Sequence, residues 1–152
     1  MKLNALVSDR SLTQFERNLL QCNFVQGTEE LFRALDRDLV VENIGDFSVV
    51  KINTSMNSTE IHRLLSGHNR VSASAIDMIN QCVVNDKLGY DKPVIATGTV
   101  IHCANGFDCY MCVHRSGNKR SISFLRINMK FSPDYSFLIC KFNETKSKEV
   151  PS

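Results

Sequence analysis

From Pro93 to Phe142 apolar residues recur at every second position, in runs separated by short clusters of turn-forming residues. A period of two places alternate side chains on opposite faces of a pleated strand, so this part of the chain is committed to a sheet. The runs predict strands near 93–103, 107–114, 120–131 and 135–142, joined by Asn105-Gly106, Ser116-Gly117-Asn118 and Ser132-Pro133-Asp134. Asn-Gly is the dipeptide that best tolerates two positive φ values, so the first connection reads as a type I′ hairpin and the whole as an antiparallel meander. On the run from 120 to 131, Leu125, Ile127, Met129 and Phe131 line one side, while Ile122 and Phe124 begin the other. On the last run Phe137 and Ile139 alternate with Leu138 and Cys140, so both faces of the sheet are partly apolar.

The first third reads as helix. Ser11 with Gln14 has the form of a capping box, and Leu12, Phe15, Leu19 and Leu20 follow on one helical face up to a stop at Gly27. Thr28 caps a second helix with Leu31, Phe32 and Leu35 on its apolar side; Glu29 and Glu30 in its first turn suit the helix dipole. Two short strands, 39–41 and 47–52, flank a hairpin-like connection at 43–46, and Asn57 with Glu60 caps a third helix through Ile61, Leu64 and Leu65 to Gly67. The stretch 71–84 fits two patterns: Ile76, Met78, Cys82 and Val84 alternate as in a strand, whereas Ile76, Ile79 and Val83 suit a helix; the strand is the stronger reading. The expectation is one α+β domain over residues 8–143, with about three helices wrapping the sheet, and a polar, disordered tail at 144–152.

Hydrophobic residues make up 43% and charged residues 22% of the 152, an ordinary globular balance. The apolar runs are too short to span a bilayer, and the start lacks a sustained apolar region. The chain is therefore expected inside the cell, in cytoplasm or nucleus, with its six cysteines as thiols and no membrane partner. A net charge of +2 exerts no general pull on nucleic acid, so any basic surface is local. Arg115, Lys119 and Arg120 flank one turn, and Arg126 and Lys130 share the parity of Arg120; together they predict at most weak RNA binding, with Tyr110 or Phe124 to stack on.

His102, Cys103, Cys109, Cys112 and His114 are the densest set of candidate zinc ligands. The Cys-x-x-Cys pair has Tyr110-Met111 between its members and falls inside a strand pattern, which turns Cys109 and Cys112 to opposite faces. No metal and no cofactor are expected. Asp77, His102, Tyr110 and His114 are the residues from which an acid–base site would be built, and no spacing pairs them.

The order of elements resembles the nuclear transport factor 2-like (NTF2-like) superfamily, whose curved sheet is wrapped by helices into a cone. Glu60-Ile61-His62-Arg63 looks like the start of the third helix of the GAP-binding members; Val94-Ile95-Ala96-Thr97-Gly98-Thr99-Val100 is similar to a family strand; and 120–131 with 135–142 look like the closing strands of the mRNA-export members. The resemblance implies a non-enzymatic scaffold or adaptor in an RNA- or transport-related assembly, pairing as a homo- or heterodimer through an open sheet face. Three helices supply apolar cover for one face, so Phe124, Leu125, Ile127, Met129, Phe131 and Phe137 are the expected partner-binding residues. The alternatives are a small pocket enzyme on the same cone, or a nucleic-acid-binding accessory protein, such as a viral one.

Overall fold

The computed structural model describes residues 13–35, 42–67 and 69–142. The expected strand at 39–41, the Ser11 cap and the tail at 144–152 lie outside them. Helix α1, Gln14–Cys22, starts from a reciprocal cap: Glu16 N–H donates to Thr13 Oγ1 at 3.2 Å, and Thr13 N–H to Glu16 Oε1 at 2.7 Å. Gln14 is thus the first helical residue and not the far half of a box, and the helix ends at Asn23 in the left-handed region (φ 54°), before Gly27. Residues 25 and 26 then run along the sheet edge, with Val25 N–H to the Arg120 carbonyl at 2.8 Å and Ile122 N–H to the Gln26 carbonyl at 2.9 Å. A Cβ on Gly27 would stand 2.4 Å from the Ile122 carbonyl oxygen, so this close approach requires glycine. Helix α2, Thr28–Leu35, follows and buries Leu31, Phe32 and Leu35 as its pattern requires.

Strand β1, Asp46–Lys51, precedes α3, Ser58–Leu65, whose capping box uses the expected Asn57 and Glu60. The expected strand at 71–84 is corrected: only β2, Arg70–Ser72, is extended, and α4 occupies Ala75–Val84. The cause is a third capping box: Asp77 N–H donates to Ser74 Oγ at 3.2 Å, and Ser74 N–H to Asp77 Oδ2 at 2.9 Å. Fully buried Asp77 also accepts from Asn43 N–H and Asn43 Nδ2. Once the helix is nucleated, Ala75, Met78, Ile79 and Cys82 fall on one buried face.

Strands β3, Val94–His102, β4, Asp108–Ser116, and β5, Lys119–Arg126, form an antiparallel meander. The β3–β4 turn is wider than a type I′ pair. Only Gly106 has positive φ, Gly106 N–H bonds the Cys103 carbonyl and Cys103 N–H the Phe107 carbonyl, the pattern of a three-residue loop. The last strand, β6, Ser136–Lys141, does not extend the meander. Residues 127–135 cross back under the sheet, and β6 lies between β1 and β3, parallel to β3 through Val94↔Ser136 and Ile95↔Phe137. The described residues therefore form a mixed, open, curved sheet of order β1-β6-β3-β4-β5, with β2 beside β6, and carry four helices. A register shift between Ala96 and Ile101 bends β3, where Gly98 N–H bonds the Ala73 carbonyl at 2.7 Å.

Both faces of the sheet are covered from within the chain. On one face α1, α2 and α4 pack Leu19, Leu31, Met78 and Ile79 against Ala96, Met111, Val113 and Leu138. On the other, Ile61 and Leu65 of α3, with Phe131, pack against Ile95, Tyr110, Cys112, Phe137 and Ile139. Among the described residues no helix is long and apolar enough to cross a membrane.

Candidate ligand groove

An eight-residue helix such as α2 is about 12 Å long, whereas the nine residues of β4 extend about 30 Å. The strands therefore overhang the helix that covers them, and the overhang forms a groove of about 740 Å³. Its floor is Ile101, Cys103, Cys109, Ile122 and Phe124 of the sheet; Glu30, Arg33 and Ala34 of α2 make one wall. The β3–β4 hairpin makes the opposite lip, where Phe107 stays 39% exposed with the Arg126 guanidinium 3.5 Å above its ring. The rim thus carries charges of both signs around an apolar floor.

The groove's ionisable groups form an acid–base pair at its outer edge. His102 turns to Asp108, Nδ1 to Oδ1 2.6 Å, with both side chains largely in solvent. Burial pushes the Cys109 thiol up to about 11, helped by a hydrogen bond with Cys103, so it stays protonated near neutrality. The other expected pieces are scattered. Asp77 caps α4, and His114 bonds Ser123 Oγ at 2.6 Å and the Arg115 carbonyl. Tyr110, 2% exposed, bonds through its hydroxyl to Ser58 Oγ at 2.5 Å and His62 Nε2 at 3.0 Å. Ser58 and His62, four apart on α3, escaped the sequence reading, although an i,i+4 pair beside apolar Ile61 and Leu65 was its signal. Cys109 lies with Ile101 in the groove and Cys112 in the opposite core, the separation that strand alternation requires. Among the described residues no three His, Cys, Asp or Glu side chains gather around a common point.

The expected basic row is dissolved. Arg115 and Lys119 are exposed, with the Arg115 guanidinium 5.1 Å from the Tyr90 ring, where Lys87 also sits at 4.7 Å. Arg120 is 6% exposed and donates to the carbonyls of Cys82, Asn85 and Leu88, which holds the end of α4 and removes it from any nucleic-acid surface. A strand residue's charge beside a turn reads as solvated, but here α4 ends directly over it. Arg126 lies at the far end of β5, and Lys130 is beyond the strand altogether.

The expected partner residues divide likewise. Phe124 is half-buried on the groove floor. Leu125, Ile127 and Met129 are half-buried against the opposite core. Phe131 and Phe137 are 0% exposed and belong to the interior, because the crossing segment 127–135 covers the face that was expected to stay open. No protein family, characterised protein or solved structure matches this chain.

Proposed function

We propose that the chain is a non-enzymatic protein-interaction module, a scaffold or adaptor of NTF2-like type in an intracellular assembly, which takes a partner protein into the groove between α2 and the β3–β4 hairpin. One observation supports this reading best: an apolar floor containing Phe124 lies open beside a lip where Phe107 remains 39% exposed. Exposed aromatic and arginine side chains over an apolar depression are the usual anchors of protein association. The acid–base pair at the groove, His102 with Asp108, lies largely in solvent, which favours binding over catalysis. An RNA- or transport-related assembly is the setting that the family resemblance implies.

The test is selection from a displayed peptide library on the wild-type domain, with light scattering at tens of micromolar to detect self-association. Peptides with apolar anchors should be enriched, or a dimer seen, and Phe107→Asp should weaken the interaction at least about ten-fold, roughly 1.4 kcal/mol. A monodisperse monomer that enriches no peptide, or an interaction indifferent to Phe107→Asp, would overturn the reading.

A further inference from the structure

The described residues hold their cysteines as free thiols, and two of them meet where α1 packs on α4. Cys22 is the last residue of α1, half-buried between exposed Gln21 and Asn23; Cys82 lies within α4 and is 1% exposed. Three contacts fix the junction. Asn18 Nδ2 donates to Asn80 Oδ1 at 2.9 Å, Cys22 Sγ lies 4.0 Å from the Ile79 carbonyl oxygen, and Arg120 Nη2 holds the Cys82 carbonyl at 2.9 Å. Within α4, Ile79 and Cys82 are one turn apart, so the contact that seats Cys22 also brings it alongside Cys82 in the same apolar cluster.

We propose that Cys22 and Cys82 are a thiol–disulfide exchange pair, in which Cys22 is modified by a low-molecular-weight disulfide of the glutathione class and Cys82 resolves the adduct into a disulfide joining α1 to α4. The Cys22 thiolate attacks one sulfur of the small disulfide; the S–S bond breaks, and the departing thiolate takes up the proton that Cys22 lost. Cys82 then gives up its proton and attacks the Cys22 sulfur, releasing the second small thiol. Two protein thiols are oxidised, and one small disulfide is reduced to two thiols.

The surroundings favour this order. The hydrogen bond from Cys82 holds the Cys22 thiol below the usual range, against burial, and the Arg120 charge adds to the effect. The same hydrogen bond and burial push Cys82 up, so it keeps its proton until Cys22 is consumed. At the other thiol pair, Arg126 acts to lower Cys109, but burial and the neighbouring Cys103 outweigh it and push that thiol up.

Mapping of the unreduced digest by mass spectrometry, after exposure of the full chain to glutathione disulfide, tests the order. The first intramolecular link should join Cys22 to Cys82 and raise Tm by roughly 5–10 °C. Cys22→Ser should abolish it, and Cys82→Ser should accumulate a glutathione adduct on Cys22. A first link between Cys103 and Cys109, or unchanged oxidation in Cys22→Ser, would overturn the proposal. Should Cys82→Ser fail to fold, iodoacetamide labelling of the wild type decides. Cys22 should react about ten-fold faster than Cys103, which is also half-buried, at neutral pH; equal or slower labelling counts against it.

Discussion

The two faces of the sheet are covered by different means. Three helices roof one face, yet their short α2 leaves the strand ends bare and a groove results. The other face has a single helix, α3, and an irregular segment, and it is closed. The closure centres on Phe131, whose ring lies 5.9 Å from Phe137, 6.2 Å from Tyr135 and 6.1 Å from Tyr110. Its backbone is tied to Met56 by two hydrogen bonds of 2.8 and 2.9 Å. Cover depends on where large side chains are anchored, and not on how many regular elements lie above them.

The largest effect should follow from removing that anchor. Phe131→Ala deletes a fully buried aromatic ring from a face that only α3 and an irregular segment cover, and a loss of about 3–5 kcal/mol is expected in denaturant unfolding. A loss below about 1 kcal/mol would show that α3 covers the face without it.

Next come the basic residues beside the β4–β5 turn, which separate the helical face from solvent. Arg120→Ala leaves three carbonyls at the end of α4 without their donor and should cost roughly 2–3 kcal/mol. Arg115→Ala and Lys119→Ala, at exposed positions, should stay within about 0.5 kcal/mol. Equal effects at all three would mean that Arg120 is solvated.

What could be read from the sequence follows the range of the interactions involved. The Asn57–Glu60 cap is decided within four residues, and it was legible. So was the face of the β4 residues, since alternation alone separates Cys109 from Cys112, whereas the register shift in β3 puts Ala96 and Ile101 on one face. The Ser74–Asp77 cap is equally local but was obscured, because Ile76, Met78, Cys82 and Val84 also alternate. The β6 crossover was not legible: a strand's neighbour is chosen by pairing across the chain, and the apolar run 127–131 reads as strand although it serves as cover. The groove arises from a mismatch of element lengths and exists only once the helices are placed on the sheet. Arg120 illustrates the same limit, since its partners are 32 to 38 residues away in sequence.

Dryness of the closed face can be measured through Cys112, which lies on it and is 2% exposed. Burial pushes its thiol from the usual 9.0 up to about 12. The unfolded chain therefore loses this proton first as pH rises. The stability contribution is intact below pH 9 and should fall by up to about 1.4 kcal/mol per pH unit between there and about 12. Cys112→Val, which cannot ionise, should flatten that part of the alkaline unfolding profile. An unchanged slope would mean that water reaches the face and the thiol titrates at its ordinary value.

The smallest changes in stability should come from the margins of the two faces, and there the comparison bears on function. Ile127 is half-buried against the closed core, its N–H bonded to the Asp108 carbonyl at 3.0 Å, so Ile127→Asp places a carboxylate beside an apolar cluster and should cost about 1 kcal/mol. Phe107 is more open, and Phe107→Asp gives up the cation–π contact with Arg126 while offering that guanidinium a carboxylate; the two terms nearly offset, leaving about 0.5 kcal/mol or less. If the groove is the docking site, the costlier variant keeps its partner and the cheaper one loses it. Thermal unfolding and partner affinity, measured on the same two proteins, would then move in opposite order. Should Ile127→Asp abolish association while Phe107→Asp leaves it intact, the contact surface belongs to the closed face, with Leu125 and Met129, and the groove has no part in it.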